Sequence, residues 1–261
     1  VFGIPSRQNG AVVDQQLLAL LLVIVVLLVW RATNRDRREY GRFKRMRTTR
    51  ARQKVMRRWM LESALVFGGL SGAVLLATWQ VVPAVLADAQ AWTPIAWMRR
   101  FITDSALGSG LVVGLVLGVA AALVVPIVLL KRASTDDVPK LGDIEALLPR
   151  TRGELPYGAG LAVTAGVFEE LMFRLAMPAL LYGIWPNALV AFLGASVLFG
   201  ALHLYQKWVG VLTSTVLGLI FVALYVLSGS IVVPIVLHLV IDARSLVLLP
   251  LVVDKVWAKR A

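Results

Sequence analysis

Apolar runs long enough to cross a bilayer recur along this chain, and they constrain its fold more than any other feature. A hydrocarbon core takes about 20 residues of helix, and runs of that order occupy 11–30, 61–87, 105–130, 157–183, 187–206, 208–228 and 231–253. They end at charged or turn-forming segments such as Lys131-Arg132, Trp185-Pro186-Asn187 and Ser228-Gly229-Ser230. Hydrophobic residues make up 59% of the chain, against about 45–50% in a soluble domain. The expected fold is therefore all-α, a polytopic transmembrane helix bundle of about seven spans. The first run is longer than a signal-peptide core and has no small-residue cleavage pattern before the charges that follow, so it reads as a retained membrane anchor.

Charge is concentrated rather than spread. Between Arg31 and Arg58 stand thirteen Lys or Arg against Asp36 and Glu39, so this block carries +11 of the net +12. Such a bias places a loop in the cytoplasm. Alternation of the spans then puts the N-terminus outside, 131–156 and the C-terminal tail inside, and the integral protein in the cytoplasmic (plasma) membrane. The block at 31–60 suits anionic lipids, since each Lys or Arg near an acidic leaflet is worth about 1 kcal/mol. Nucleic acid is not expected as a partner: the aromatics in the block are only Tyr40, Phe43 and Trp59, and both its ends are tethered to spans.

Composition divides the chain. Residues 1–130 hold three spans with no ionisable residue in their middles and the basic cytoplasmic loop 31–60. Residues 131–156 read as a cytoplasmic linker, 157–253 as the membrane core with every buried-looking charge and both histidines, and 254–261 as a tail. No cysteine is present, which excludes disulfides, thiolate metal sites and cysteine nucleophiles. Chemistry must come from carboxylates, histidines or hydroxyls.

Three constellations supply them. In "TAGVFEELMFRLAM", Glu170 and Arg174 are four residues apart and can pair on one helix face, whereas Glu169 is rotated about 100° away and is left free. A charge at membrane depth costs at least about 2.5–3.5 kcal/mol on insertion scales and commonly marks a wet cavity or a bundle interior. A structural ion pair needs only one glutamate, so the second is the informative one. In "LFGALHLYQ", His203 follows Phe199 by one turn. In "VLHLVIDARS", His238 and Asp242 are again four apart, so the carboxylate is expected to hydrogen-bond the imidazole and fix its tautomer. Converging on one cavity, a glutamate could serve as general base on water while the other groups supply acid and oxyanion functions.

In this order and separation, Glu169-Glu170-x-x-x-Arg174, Phe199-x-x-x-His203 and His238-x-x-x-Asp242 resemble the three-motif signature of the CPBP family, the CAAX protease and bacteriocin-processing (Abi) intramembrane peptidases. The resemblance covers about residues 147–245, including the lead-in "LPRTRGELPYGAGLAVTAGVFEELMFR", and makes 157–253 a CPBP-like core. It implies that Glu169 activates the attacking water, that His203 helps to hold that water, that His238 and Asp242 stabilise the oxyanion, and that Glu170 and Arg174 orient the site. Two positions depart from the pattern: Leu175 stands where the family often has Gly, and Asp242 where the prenyl-protein enzymes have Asn. An ionised Asp cannot donate to an oxyanion, so either it is protonated or His238 donates and Asp242 orients it.

The implied function is an intramembrane endopeptidase acting on a membrane-associated protein or peptide. No cofactor is expected. Zinc is the alternative, with Glu169, His203 and His238 as ligands, although no HExxH spacing occurs. Two other readings fit the composition: a non-proteolytic subunit or assembly factor that docks a larger membrane complex, and a proton relay built on the same carboxylates.

Overall fold

The computed structural model describes residues 7–129, 144–253 and 255–256; most of the expected linker and tail falls outside these. Helices build it, with no strand among the described residues. Helix α1 (7–44) passes from Arg7–Trp30 through a π-helical turn, Arg31–Asp36, into Arg37–Lys44. Residues 45–48 turn the chain into α2 (49–78), which has its own π-helical turn at Ala64–Gly68. The basic block expected as a loop is thus a helical hairpin, two extensions of spans joined by a short turn.

Helices α3 (Val82–Ala91) and α4 (Thr93–Asp104) follow, each with proline in its first turn, where the missing N–H costs nothing. Next come α5 (Ala106–Leu129), α6 (155–184, with a π-helical turn at Leu171–Ala176), α7 (Ala188–Ala201), α8 (Lys207–Ser228) and α9 (Val232–Val252, with a π-helical turn at Arg244–Leu248). Asn187 caps α7, its Oδ1 accepting from the Val190 N–H at 3.0 Å. Gly229, at φ 73°, closes α8 in the left-handed conformation that glycine adopts without strain.

Among the described residues, five stretches are long and apolar enough to cross a membrane: Gln15–Lys44, Thr49–Thr78, Ala106–Val125, Ala188–Ser228 and Val232–Val252. The fourth contains both α7 and α8, separated by a 3₁₀ turn in which His203 has φ −88° and ψ 15° and after which Lys207 has φ 66°. Helix α6 has the length to cross but is not apolar throughout, because it carries Glu169, Glu170 and Arg174. Separating α7 from α8 and including α6 restores the seven segments expected.

Packing does not follow the composition boundary. Leu21, Ile24 and Leu28 of α1 and Val74 of α2 share one core with Met172, Phe173, Met177 and Leu180 of α6 and Phe199 of α7. Helix α5 instead exposes Leu111, Leu115 and Leu117, as a lipid-facing helix does.

The two ends of the bundle are held differently. At the basic end, Arg52 of α2 is buried against Glu154, just before α6, with Nε 3.0 Å from both carboxylate oxygens. Its Nη2 donates to the carbonyls of Ala146 and Leu148 at 3.0 and 3.1 Å, and its guanidinium lies 4.2 Å from the Phe43 ring. At the other end, the Ala188 N–H donates to Asp88, and Gln90 and Arg99 donate to the last carbonyls of α8, at 2.9 to 3.0 Å. Positive charge so placed complements the negative end of a helix dipole.

Candidate active site

The site is assembled around the paired glutamates, and its six expected residues separate into two groups. Glu170, Arg174 and His238 form a buried cluster, with 0%, 1% and 7% of their surfaces exposed. Glu169, His203 and Asp242 line a cavity of about 200 Å³ that extends past Tyr205 to Tyr40, Trp59 and Leu147 at the basic end.

In the buried cluster, Glu170 joins two helices. Its Oε2 is 3.0 Å from Arg174 Nε, as the spacing within α6 predicts, and its Oε1 is 2.7 Å from His238 Nδ1 on α9. The Arg174 N–H groups are not aimed at an acceptor, so its attraction to Glu170 is Coulombic rather than a well-formed hydrogen bond. The guanidinium lies against two aromatic rings, 4.6 Å from the centre of Phe199 and 5.0 Å from that of Phe221. Their negative faces offset part of the cost of removing the cation from water. Phe221 also stacks on His238 at 5.1 Å.

One expectation is corrected by this arrangement. His238 and Asp242 lie on one face of α9, but Nε2 and Oδ2 are 3.7 Å apart, beyond hydrogen-bond reach. The bond to Glu170, across helices, orients the imidazole instead, with Nδ1–H donating to the carboxylate. Helical spacing indicates neighbours on the same helix and is silent about a stronger partner on another.

On the cavity wall, His203 donates Nδ1–H to the Phe199 carbonyl at 2.9 Å. That leaves Nε2 of the neutral ring with a lone pair. The 3₁₀ turn at Leu202–Gln206 supplies this geometry, because it ends the α7 ladder at the level of the site. Glu169 is half-buried and has no side-chain hydrogen bond or ion pair among the described residues. Asp242 retains 30% side-chain exposure. Among the described residues, no three His, Asp or Glu side chains are grouped closely enough to hold a metal ion. The set Glu169, His203 and His238 is accordingly not gathered into a metal-binding group.

Several wall residues were not anticipated. Tyr205 accepts from Gln206 Nε2 at 2.8 Å, which leaves its own O–H free to donate. Arg31, Asp36, Trp59 and Ser63 come from the helical hairpin. The one signal for them in the sequence is that polar residues follow an apolar run directly, a pattern that also describes ordinary span ends. All four π-helical turns reach the cavity, through Arg31 and Asp36, Phe67, Phe173 and Leu246. Such one-residue insertions are frequent at functional sites because they redirect side chains without ending the helix.

No curated protein and no solved structure matches the chain. Residues 151–244, under half of the chain, match the family model described as type II CAAX prenyl endopeptidase Rce1-like, so the segment that builds the paired-glutamate site is similar to that family, consistent with the CPBP class that the three motifs resemble.

Proposed function

We propose that this protein is an intramembrane endopeptidase that hydrolyses peptide bonds of membrane-associated proteins or peptides with a glutamate-activated water. The observation that carries this reading is the division of labour between adjacent glutamates. Glu170 is buried in a charge cluster, while Glu169 stands on a cavity wall with no side-chain hydrogen bond or ion pair among the described residues.

A water between Glu169 and His203 Nε2 loses a proton to the Glu169 carboxylate as its oxygen attacks the scissile carbonyl carbon. The carbonyl π electrons move to oxygen, giving a tetrahedral oxyanion. The Tyr205 O–H is the wall donor suited to that oxygen, because Gln206 already occupies one of its lone pairs. Collapse breaks the C–N bond, and the proton held by Glu169 goes to the leaving nitrogen, leaving a new carboxyl and a new amine. Glu170, Arg174 and His238 hold α6 and α9 in register without touching substrate. Removing one oxyanion donor typically costs about 10²–10³ in rate, so Tyr205→Phe is expected to lower kcat by that order with KM little changed. An unchanged kcat would take Tyr205 out of the mechanism.

The deciding experiment compares protein N- and C-termini in membranes of cells expressing either the native chain or Glu169→Gln at equal abundance. New termini seen only with the native chain identify substrate and bond. Coincident sets of termini, with stoichiometric copurification of a larger complex, would favour the docking-subunit reading.

The basic end is assigned to the cytoplasm, the N-terminus to the outside and the protein to the plasma membrane. Exposed Arg37, Arg42, Arg45, Arg47, Arg50, Lys54 and Arg57 have no ion pair among the described residues and suit an anionic leaflet. With no cysteine in the chain, single substitutions report on topology. An impermeant thiol reagent added to intact cells is expected to label Asp104→Cys and to spare Arg47→Cys. The opposite pattern inverts the assignment.

A further inference from the structure

The cavity has a second polar locus, removed from the family-matched segment and unused by the hydrolytic step. Arg31, at the first π-helical turn, directs Nε to Asp36 Oδ2 at 3.2 Å and Nη2 toward Glu62 Oε2 at 3.8 Å. Among the described residues its Nη1 is buried without a hydrogen-bond partner, and so is Oγ of Ser63, the residue just before the second π-helical turn. Both residues line the cavity. Ser63 is unlike Thr78, Thr164 and Ser196, whose hydroxyls donate to carbonyls four residues back at 2.8 to 3.0 Å. A buried donor without an acceptor carries a desolvation penalty of about 1–3 kcal/mol, and a ligand acceptor would relieve two such penalties here.

Charge at the locus selects among acceptors. The cations Arg31, Arg35 and Arg58 interlock with the carboxylates of Asp36, Glu39 and Glu62. Three positive groups meet three negative ones, so no excess positive charge is left for a carboxylate. The other walls near this locus are apolar, among them Leu28, Phe67, Leu161 and Leu246. A neutral acceptor on an apolar chain fits both features.

We propose that Arg31 and Ser63 form a substrate subsite that holds a backbone carbonyl of an apolar, uncharged peptide segment lying in the same cavity as Glu169. The subsite rests on the peptidase reading for its purpose, and it makes the hairpin a specificity element rather than only a topogenic signal. The segment is held by its backbone, so recognition requires neither a free C-terminus nor a charged side chain at this point.

The test uses the purified full-length protein in detergent micelles and short Leu/Val/Phe-rich synthetic peptides with a photoreactive diazirine, made both as C-terminal amides and as free acids. Amide and acid forms are expected to crosslink equally to the hairpin around Trp59, Ser63 and Phe67. Ser63→Ala and Arg31→Lys are each expected to reduce that labelling about two- to tenfold, the effect of one lost hydrogen bond. Absence of hairpin crosslinks, labelling by free acids alone, or labelling insensitive to both substitutions would each overturn the subsite. Cleavage is read in parallel with native chain and Glu169→Gln. Hairpin labelling without Glu169-dependent cleavage supports the subsite and removes the peptidase reading; Glu169-dependent cleavage without hairpin labelling does the reverse.

Discussion

Glu169→Gln is expected to lower peptide-bond hydrolysis by about 10²–10⁴-fold, the range associated with loss of a general base, while leaving the folded protein at least as stable as the native chain. Both halves follow from the surroundings of Glu169. Among the described residues its carboxylate has no side-chain hydrogen bond or ion pair to lose, and the amide has nearly the same shape. Removing a charge at membrane depth also relieves an insertion cost of at least about 2.5–3.5 kcal/mol. Glu170→Gln should fail in the opposite way. It strips the counter-charge from Arg174 and leaves one amide oxygen where two carboxylate oxygens face Arg174 and His238, and breaking a buried pair by removing one partner costs about 3–5 kcal/mol. The pair of substitutions thus separates chemistry from architecture at adjacent positions, with kcat and resistance to unfolding in SDS read on the same preparations. A Glu169→Gln protein retaining more than a tenth of native turnover would remove Glu169 as the base.

The sequence discloses this site unevenly, for physical reasons. Helical spans, their approximate ends and the Glu170–Arg174 contact were legible because they depend on local periodicity: twenty apolar residues, or two charges four residues apart. The separation of six motif residues into a buried cluster and a cavity wall was not. It depends on how α9 and α7 are rotated against α6, and near-continuous apolar composition leaves such rotation unmarked. His238 shows the limit: its same-helix neighbour Asp242 was visible, and its stronger partner Glu170, 68 positions away, was not. The π-helical turns add a further blind spot, since each shifts the phase of everything after it by about one residue.

The basic block is a helical hairpin where a loop is expected. Its charge density is real, but charge counting treats all thirteen cations alike. The fold gives them different work. Arg31, Arg35 and Arg58 interlock with carboxylates beside the cavity, Arg52 is buried, and the other nine are exposed. The hairpin consequently unites the family-matched segment with the spans before it, and the cavity is incomplete without both.

Arg52→Ala is expected to destabilise the protein by about 3–5 kcal/mol, the cost of leaving one member of a buried ion pair without the other. The expectation rests on the number of groups that Arg52 satisfies. Glu154 takes Nε at 3.0 Å from both oxygens and also accepts from the Arg150 N–H at 3.0 Å, while Nη2 satisfies two carbonyls. An exposed pair would be worth only about 0–1 kcal/mol, but each partner here is 1% exposed. Replacing both members, as Arg52→Met with Glu154→Gln, should recover part of the loss, because no uncompensated charge then remains. Recovery should stay incomplete, since the Ala146 and Leu148 carbonyls still lack their donor. Equilibrium unfolding in SDS of the native protein, Arg52→Met, Glu154→Gln and the double variant measures the coupling. A single-mutant cost below about 1 kcal/mol would mean that the pair is hydrated and does not clamp the hairpin. Because Glu154 immediately precedes α6, the clamp sets where the helix bearing Glu169 begins relative to the hairpin wall. Any Arg52→Ala protein that remains folded should therefore bind apolar peptide more weakly even though Arg52 lies outside the cavity.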